Sequence, residues 1–484
     1  MRHSAIIIGT GFSGLAMAIA LKKRGVQDFI ILEKAQDVGG TWRENTYPGA
    51  ECDIPSALYS FSFEPYPYWE YKWSMQPQIL EYIQYVAKKY DLYPHIQFGK
   101  ELTAAQWQEQ DNYWQITTKD SSIYESKILI TAIGQLHHPS TPNFRGKDSF
   151  AGDSFHSAQW NHDVDLQYKT IGVIGNAASA VQFIPEIAKV AKQVVVFQRS
   201  ANWMLPKQDR AYKEWEKKLV ARFPILLKTY RKRLGFMAGA LFLVMKNVFP
   251  PLRKLLEYWT KWYIKRHIKD PVVAQKLIPT YPLGAKRVLF SDTYYQALAR
   301  PNVELLTGGV QEISSTGVVT GEGDSRAVDV LVYATGFKAN PFLLGIDLQG
   351  RNGTTIQTAW EQEAKNYLGI TTTDFPNFFM LYGPNTNLGH NSIILMAEAQ
   401  AEYIAQAVEG IVKNKWQSME VKPTVLEEYY QSIQQRLKTM IWATIENSWY
   451  KSASGDVANN FPGRTMEYAR LTRRVDFADF EIKK

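Results

Sequence analysis

Cysteine is almost absent: Cys52 is the single thiol in 484 residues. One cysteine excludes an internal disulfide and a cysteine-built metal site, and no metal is expected. It also excludes dithiol flavoenzymes, which need two thiols beside the flavin. The expected compartment is the reducing cytosol, with peripheral membrane association as an addition to it. Long apolar runs are missing too. The longest candidate, Leu234 to Met245, has 12 residues, against the roughly 18 that a transmembrane helix needs. The early apolar run Ala5 to Ile8 leads straight into a glycine-rich turn, so a signal peptide is not expected. Acidic residues are scarce in one region. From Lys207 to Lys276 there are 5 of them against 18 basic ones, a balance of +13 in a chain of net charge +8. No nucleic-acid module accompanies that charge, so nucleic acid is not an expected partner.

What is present is ordinary for a globular protein. The chain is 45% apolar and 21% charged, enough to bury a substantial core. Its length suggests about three domain-sized units of roughly 150 residues. Aromatics, at 13%, suit a planar cofactor and an apolar substrate.

Two segments read as dinucleotide sites. In the first, the strand Ala5 to Ile8 is followed by Gly9-Thr10-Gly11-Phe12-Ser13-Gly14, a helix to about Arg24 that Gly25 stops, and a strand Phe29 to Leu32 ending on Glu33. Gly9 permits the tight turn, Gly11 lets the backbone approach a pyrophosphate, and Gly14 lets the helix pack on the strand. The helix N-terminus supplies N–H groups for phosphate, and Glu33 can hold ribose hydroxyls. Phe12 and Ser13 complete the turn. In the second segment, the strand Ile171 to Ile174 precedes Gly175-Asn176-Ala177-Ala178-Ser179-Ala180 and a helix. The strand Val194 to Phe197 then ends at Gln198-Arg199-Ser200. Ala177 replaces the middle glycine, and its methyl is expected to hold the pyrophosphate slightly further away. Arg199 stands where Glu33 stood, which favours a 2′-phosphate and hence NADPH over NADH. Gly175, Asn176, Ala178, Ser179, Arg199 and Ser200 are the expected contacts.

Two further stretches resemble the Baeyer–Villiger monooxygenases, relatives of the heteroatom-oxidising flavin-containing monooxygenases. Gly39 to Asp53, GGTWRENTYPGAECD, matches [A/G]GxWxxxx[F/Y]P[G/M]xxxD at every specified position. A chance match at one start is on the order of 10⁻⁸. Phe150 to Trp160 matches FxGxxxHxxxW. Trp160 is the discriminating residue, whereas Asn161 departs from the usual Pro or Asp. "PLGAKRVLFSDTYY", "DVLVYATGF" and "NSWY" resemble later family segments, so the likeness covers essentially the whole chain.

The resemblance implies FAD and NADPH as cofactors, and O2 and a lipophilic ketone as substrates. Hydride passes from NADPH to FAD, and a C4a-peroxyflavin inserts one oxygen atom beside the carbonyl to give an ester or lactone. It implies Arg287 as the catalytic cation and Asp53 as the carboxylate that orients it. Gly40, Thr41, Trp42, Asp53 and Tyr59 would contact FAD. Lys286 would join Arg199 and Ser200 on the 2′-phosphate, Arg287 would also contact the cofactors, and Trp449 would close over the nicotinamide. His156 is read as coupling domains, and Trp42 and Trp160 also as packing or hinge residues. His137 and His138 are expected in a solvated linker. Two alternatives stand beside ketone oxidation: N- or S-oxygenation, and a non-oxygenating NADPH oxidase or redox sensor.

The expected architecture is α/β with two Rossmann-like dinucleotide-binding domains, the NADP domain inserted into the FAD domain. Residues 1–140 and 326–484 form the FAD domain and 150–325 the NADP domain. A helical insertion at 207–282 is punctuated by Pro224, Pro250-Pro251 and Pro271. It is read as a lid with a basic face or as a peripheral membrane contact. The oligomeric state is not legible.

Overall fold

The structure, a computed structural model, describes residues 2–246, 250–340, 342–361, 363–445, 450–452 and 455–484. Trp449 lies outside them.

The first sheet is centred on Arg2–Ile8. It pairs in parallel with Phe29–Glu33 on one side and Ile123–Thr131 on the other. Residues 5–8 are buried on both faces, as a parallel strand between helices must be. The following helix, Phe12–Lys23, buries every residue from Gly14 to Leu21. A helix apolar all round needs cover on all sides. It is held between the sheet and the long helix Ile393–Lys413, with which it shares one apolar core. Arg24 carries the contact outward through ion pairs to Glu402 and Glu409. The strand Phe378–Met380 also pairs with Ile123–Thr131, so the C-terminal third of the chain completes the first unit.

The second sheet is all parallel, in the order Val303–Leu306, Gln193–Phe197, Thr170–Ile174, Val330–Tyr333, Asp153–His156. This corrects the boundary read at residue 326. Val330–Tyr333 is wholly buried and belongs to the second unit, because its unbroken apolar run is covered only between two parallel neighbours. The chain crosses back just afterwards. Ser140 N–H donates to Gly336 O (2.9 Å), Lys338 N–H to His138 O (2.9 Å) and Thr335 Oγ1 to Ser140 O (2.6 Å). The outgoing and returning connections therefore run side by side.

Four helices fill the insertion: Glu214–Arg222, Pro224–Met245, Pro250–His267 and Pro271–Lys276. Three of them begin on proline, which lacks the N–H that a first turn leaves unbonded. No single helix among the described residues is long and apolar enough to cross a membrane.

The helix Ala178–Ile187 joins the two units. Gln182 Oε1 accepts from the Tyr47 hydroxyl (2.8 Å), and Gln182 Nε2 donates to Glu51 O (2.9 Å). A Cβ on Gly49 would stand 2.7 Å from Gln182 O. The "YPG" of the long fingerprint is therefore a docking surface for the second unit. Trp160 packs in the second unit's core, its ring 5.2 Å from Phe183, and Tyr47 meets the same ring at 6.1 Å. Trp160 is thus a core residue. Trp160→Ala is expected to lower stability by about 3–5 kcal/mol, measured by urea unfolding. Unchanged unfolding with lost turnover would show a chemical role instead.

Candidate active site

The first glycine turn explains two of its glycines by packing and one by a ligand. Gly9 has φ +102°, and a Cβ there would meet Ala132 O at 2.8 Å. A Cβ on Gly14 would stand 1.9 Å from Gly9 O. Gly11 is different. Its backbone is extended (φ −72°, ψ −173°), and the nearest atom to an added Cβ is Gly40 Cα at 3.8 Å. Nothing in the protein requires glycine at this position. The helix behind it has no side-chain N-cap, so its first N–H groups are left for an anion. This cradle fits a dinucleotide pyrophosphate.

Glu33 is buried, at 4% exposure. Its carboxylate accepts Thr10 N–H (3.0 Å), Thr10 Oγ1 (2.6 Å) and Ala35 N–H (2.9 Å). It therefore pins the turn as well as lining the cleft. Gly39 N–H bonds to Thr10 O (3.2 Å), which seats the long fingerprint against the glycine turn. The cleft, about 460 Å³, runs from Glu33 past Gly11, Phe12, Ser13, Gly40 and Thr41 to Asp53, Arg287 and Tyr382. Trp42 and Tyr59 also line it, with Trp42 Nε1 donating to the Tyr59 hydroxyl (3.1 Å).

Asp53 and Arg287 form a bidentate pair. Nε donates to Oδ2 (2.8 Å), and Nη2 donates to Oδ1 (2.7 Å) and Oδ2 (2.6 Å). The Asp53 charge raises Arg287 further above its already high range, so the guanidinium stays charged. About a third of its side-chain surface, 34%, remains open. The phenols of Tyr382 and Tyr450 lie close enough to share this field. Tyr382 donates to Asn387 Oδ1 (2.7 Å). Sequence reading missed Tyr382, Asn387 and Asn391. The signal available was "LYGPNTNLGHNS", an Asn- and Gly-rich stretch entering the helix Ile393–Lys413.

The second glycine turn repeats the first. Gly175 has φ +104°, and a Cβ there would meet Ala334 O at 2.4 Å. Ala177 sits at the N-cap of Ala178–Ile187 in the same extended conformation as Gly11 (φ −87°, ψ −161°). The methyl therefore leaves the backbone path unchanged, and the helix N-terminus is again without a side-chain cap. Asn176 offers less than expected. Its Nδ2 bonds to Gln198 Oε1 (2.6 Å), and Asn202 Nδ2 donates to both its Oδ1 and its carbonyl O (3.2 Å each), so neither its side chain nor its carbonyl is open to a ligand. Ser179 lies beside the half-buried Tyr47 phenol, whose hydroxyl donates to Gln182 and which desolvation pushes up to about 12. Arg199 and Ser200 are exposed at the end of Gln193–Phe197. Burial and then the charge of Arg199 lower the Lys286 ammonium. Two cations held together in this way favour an anion between them.

Other expectations change. His137 lines the cleft, and burial lowers it to about 4. His138 Nε2 lies 3.0 Å from Leu344 O. Neither sits in a solvated linker, because the segment after Ile123–Thr131 forms the cleft wall. His156 ends the edge strand of the second sheet, where Nδ1 accepts from Ala158 N–H (3.1 Å). It is not among the cleft-lining residues. Cys52 is buried and its thiol raised well above the usual range by burial, then by Asp53, so it is not a reactive thiolate.

A bidentate carboxylate–guanidinium pair in a dinucleotide cleft, beside a second dinucleotide turn, defines a flavoprotein oxidoreductase with two nucleotide cofactors. Residues 6–222 match the family described as pyridine nucleotide-disulphide oxidoreductase, although a single cysteine rules out dithiol chemistry in this chain. The chain is 39% identical to a Baeyer–Villiger monooxygenase of Pseudomonas aeruginosa over 99% of its own length and 92% of that protein's. With a Baeyer–Villiger monooxygenase of Streptomyces coelicolor it shares 37% over 98% and 92%. Its fold overlays a steroid monooxygenase bound to NADP with a TM-score of 0.89, at 28% identity and full coverage of both chains. The cyclohexanone monooxygenase of Rhodococcus sp. Phi1 bound to NADP+ gives 0.89 and 28%, covering 100% of this chain and 99% of that one. The chain belongs to the Baeyer–Villiger monooxygenases and is an FAD- and NADPH-dependent flavoprotein monooxygenase.

Proposed function

We propose that this enzyme converts a lipophilic ketone into an ester or lactone at the inner end of the 460 Å³ cleft, with Arg287 as the fixed cation. The Asp53–Arg287 pair in the cleft of the first glycine turn carries this reading. FAD, held by Gly9 to Gly14, Glu33, Gly40 to Trp42 and Tyr59, supplies the oxygen-activating chemistry when reduced by NADPH. Arg287 holds negative charge on the oxygen that attacks and on the carbonyl oxygen that is attacked. Asp53 engages Nε and Nη2, so the guanidinium plane is fixed, and among the described residues Nη1 makes no bond to protein. An arginine suits this work because it never loses its proton near neutral pH. The walls contributed by half-buried Tyr382 and buried Leu388 limit water at the reacting centre.

Anaerobic reduction with NADPH, mixing with oxygen and a ketone panel, and product analysis test this reading. Ester formed in proportion to NADPH consumed is expected. N- or S-oxides alone, or hydrogen peroxide without product, would replace it with heteroatom oxygenation or an oxidase.

Arg199, Ser200 and Lys286 hold the 2′-phosphate in this reading. Arg199→Ala removes a charge-assisted hydrogen bond of about 1.5–3 kcal/mol. KM for NADPH is expected to rise roughly 10–100-fold, with NADH turnover unchanged. Equal losses with both coenzymes would place Arg199 elsewhere. The division of the chain follows the sheets: an FAD unit from residue 2 to about 140 and again after about 334, with the NADP unit between them carrying 207–282. We also read 207–282 as a peripheral membrane contact through which an apolar ketone arrives.

A further inference from the structure

The insertion turns its apolar side outward. Helix Pro224–Met245 buries only five of its 22 residues and Pro250–His267 only two of 18. Of the 23 large apolar side chains that stand exposed among the described residues, 12 fall between Trp215 and Trp262. They form stripes. On the first helix the exposed line runs Ile225, Lys228, Lys232, Phe236, then Leu243, with Phe236 at 78%. On the second it runs Leu255, Tyr258, Trp262, with Tyr258 at 71%, flanked by Lys254, Lys261, Lys265 and Arg266. These positions recur every three, four or seven residues, so each line is one helix face. The helices meet at 104°, and neither alone is long and apolar enough to cross a bilayer.

We propose that these two faces dock the enzyme on an anionic lipid bilayer, with both helices lying in the interface plane; this rests on the membrane reading above. Tyr258 and Trp262 match the headgroup level, Phe236 and Met237 enter below it, and the lysines and arginines meet lipid phosphates. Charge selects this occupant over a second copy of the chain. Residues 214–267 carry 13 basic and 3 acidic side chains, so two copies face to face would repel. A cavity of about 370 Å³, walled by Tyr66, Trp69, Tyr212, Trp215, Leu226 and Tyr230, gives an acyl chain a place to enter. The first helix anchors inward. Arg231 donates to Ala57 O (2.8 Å) and Ser60 Oγ (3.1 Å). At its far end Phe242 and Met245 share a buried cluster with Ala285 and Leu388, beside Arg287 and the cleft. The docked face thus leads to the reacting centre.

The test uses resting holoenzyme without ketone, so its result is independent of the substrate reading. Vesicles of phosphatidylcholine alone and of phosphatidylcholine with phosphatidylglycerol are sedimented with the protein. Binding to the anionic vesicles, weakened by salt and slight on neutral ones, is expected. Lys228, Lys232 and Arg233 replaced together by glutamine should lower partitioning on the order of 100-fold, at about five-fold per basic side chain. Phe236→Glu with Trp262→Glu should abolish it while FAD content and melting temperature stay unchanged, because both side chains are exposed. No pelleting with either vesicle, or pelleting that these variants leave intact, overturns the proposal. A dimer that Phe236→Glu dissociates overturns it as well and makes the face an interface between copies.

Discussion

In Arg287→Ala, ester formation falls by roughly 100–1,000-fold, the loss typical of removing one positioned donor from a developing oxyanion. FAD content stays at the wild-type level, because the cradle at Gly9 to Gly14 is untouched. Arg287→Lys recovers little. A single ammonium cannot grip both Asp53 oxygens and still present a donor in the guanidinium plane. Asp53→Asn loses less than Arg287→Ala, because the cation survives and only its orientation loosens. The pH profile shows no arginine titration, since Asp53 raises Arg287 further above an already high value. Steady-state product formation, measured beside NADPH consumption, checks all of this. An Arg287→Ala enzyme that forms ester at the normal rate would remove the pair from the chemistry.

The second large effect separates two glycines three residues apart. Gly14→Ala places a methyl carbon 1.9 Å from Gly9 O, a backbone clash that no rotamer relieves. The turn and the first unit should lose about 3 kcal/mol or more of stability, at or beyond the upper end of ordinary overpacking, and FAD with it. Gly11→Ala meets only Gly40 Cα at 3.8 Å in an ordinary extended backbone. Its apoprotein should unfold within about 0.5 kcal/mol of wild type, while FAD affinity drops roughly 10–100-fold as the methyl crowds the phosphates. Denaturant unfolding of apoprotein and flavin titration read the two quantities independently. Equal behaviour of the two variants would mean that the space at Gly11 serves the fold and not a ligand.

The glycine turns were legible because their information is local. Gly9, Gly11, Gly14 and Glu33 lie within one strand–turn–helix–strand segment, where the turn itself sets Gly9's positive φ, Gly14 packs on Gly9 O and Glu33 holds Thr10. The prolines that open the insertion's helices were legible for the same reason. The fingerprint Gly39 to Asp53 was legible as a pattern but not as two surfaces. Gly40 faces the flavin turn, whereas Tyr47 and Gly49 face Gln182, more than 130 positions away. The assignment of Val330–Tyr333 failed on sequence because an all-apolar strand fits the parallel part of either sheet. Only its pairing with Thr170–Ile174 and Asp153–His156 decides. The His137–His138 pair failed for a related reason. Polar residues beside proline read as solvated, but the cleft wall needs them.

The sequence by itself determined that this chain folds around two dinucleotides, that the second bears an arginine suited to a 2′-phosphate, and that it resembles ketone-oxidising flavoproteins. Tertiary structure decided what meets what. Asp53 grips Arg287 across 234 positions, Tyr382 and Asn387 come from the C-terminal third of the chain to close the cleft, and an apolar, basic face is left outward. Backbone conformation is set by near neighbours and can be read from spacing. Side chains far apart in sequence meet only through the order of strands and the docking of helices, which no local pattern encodes.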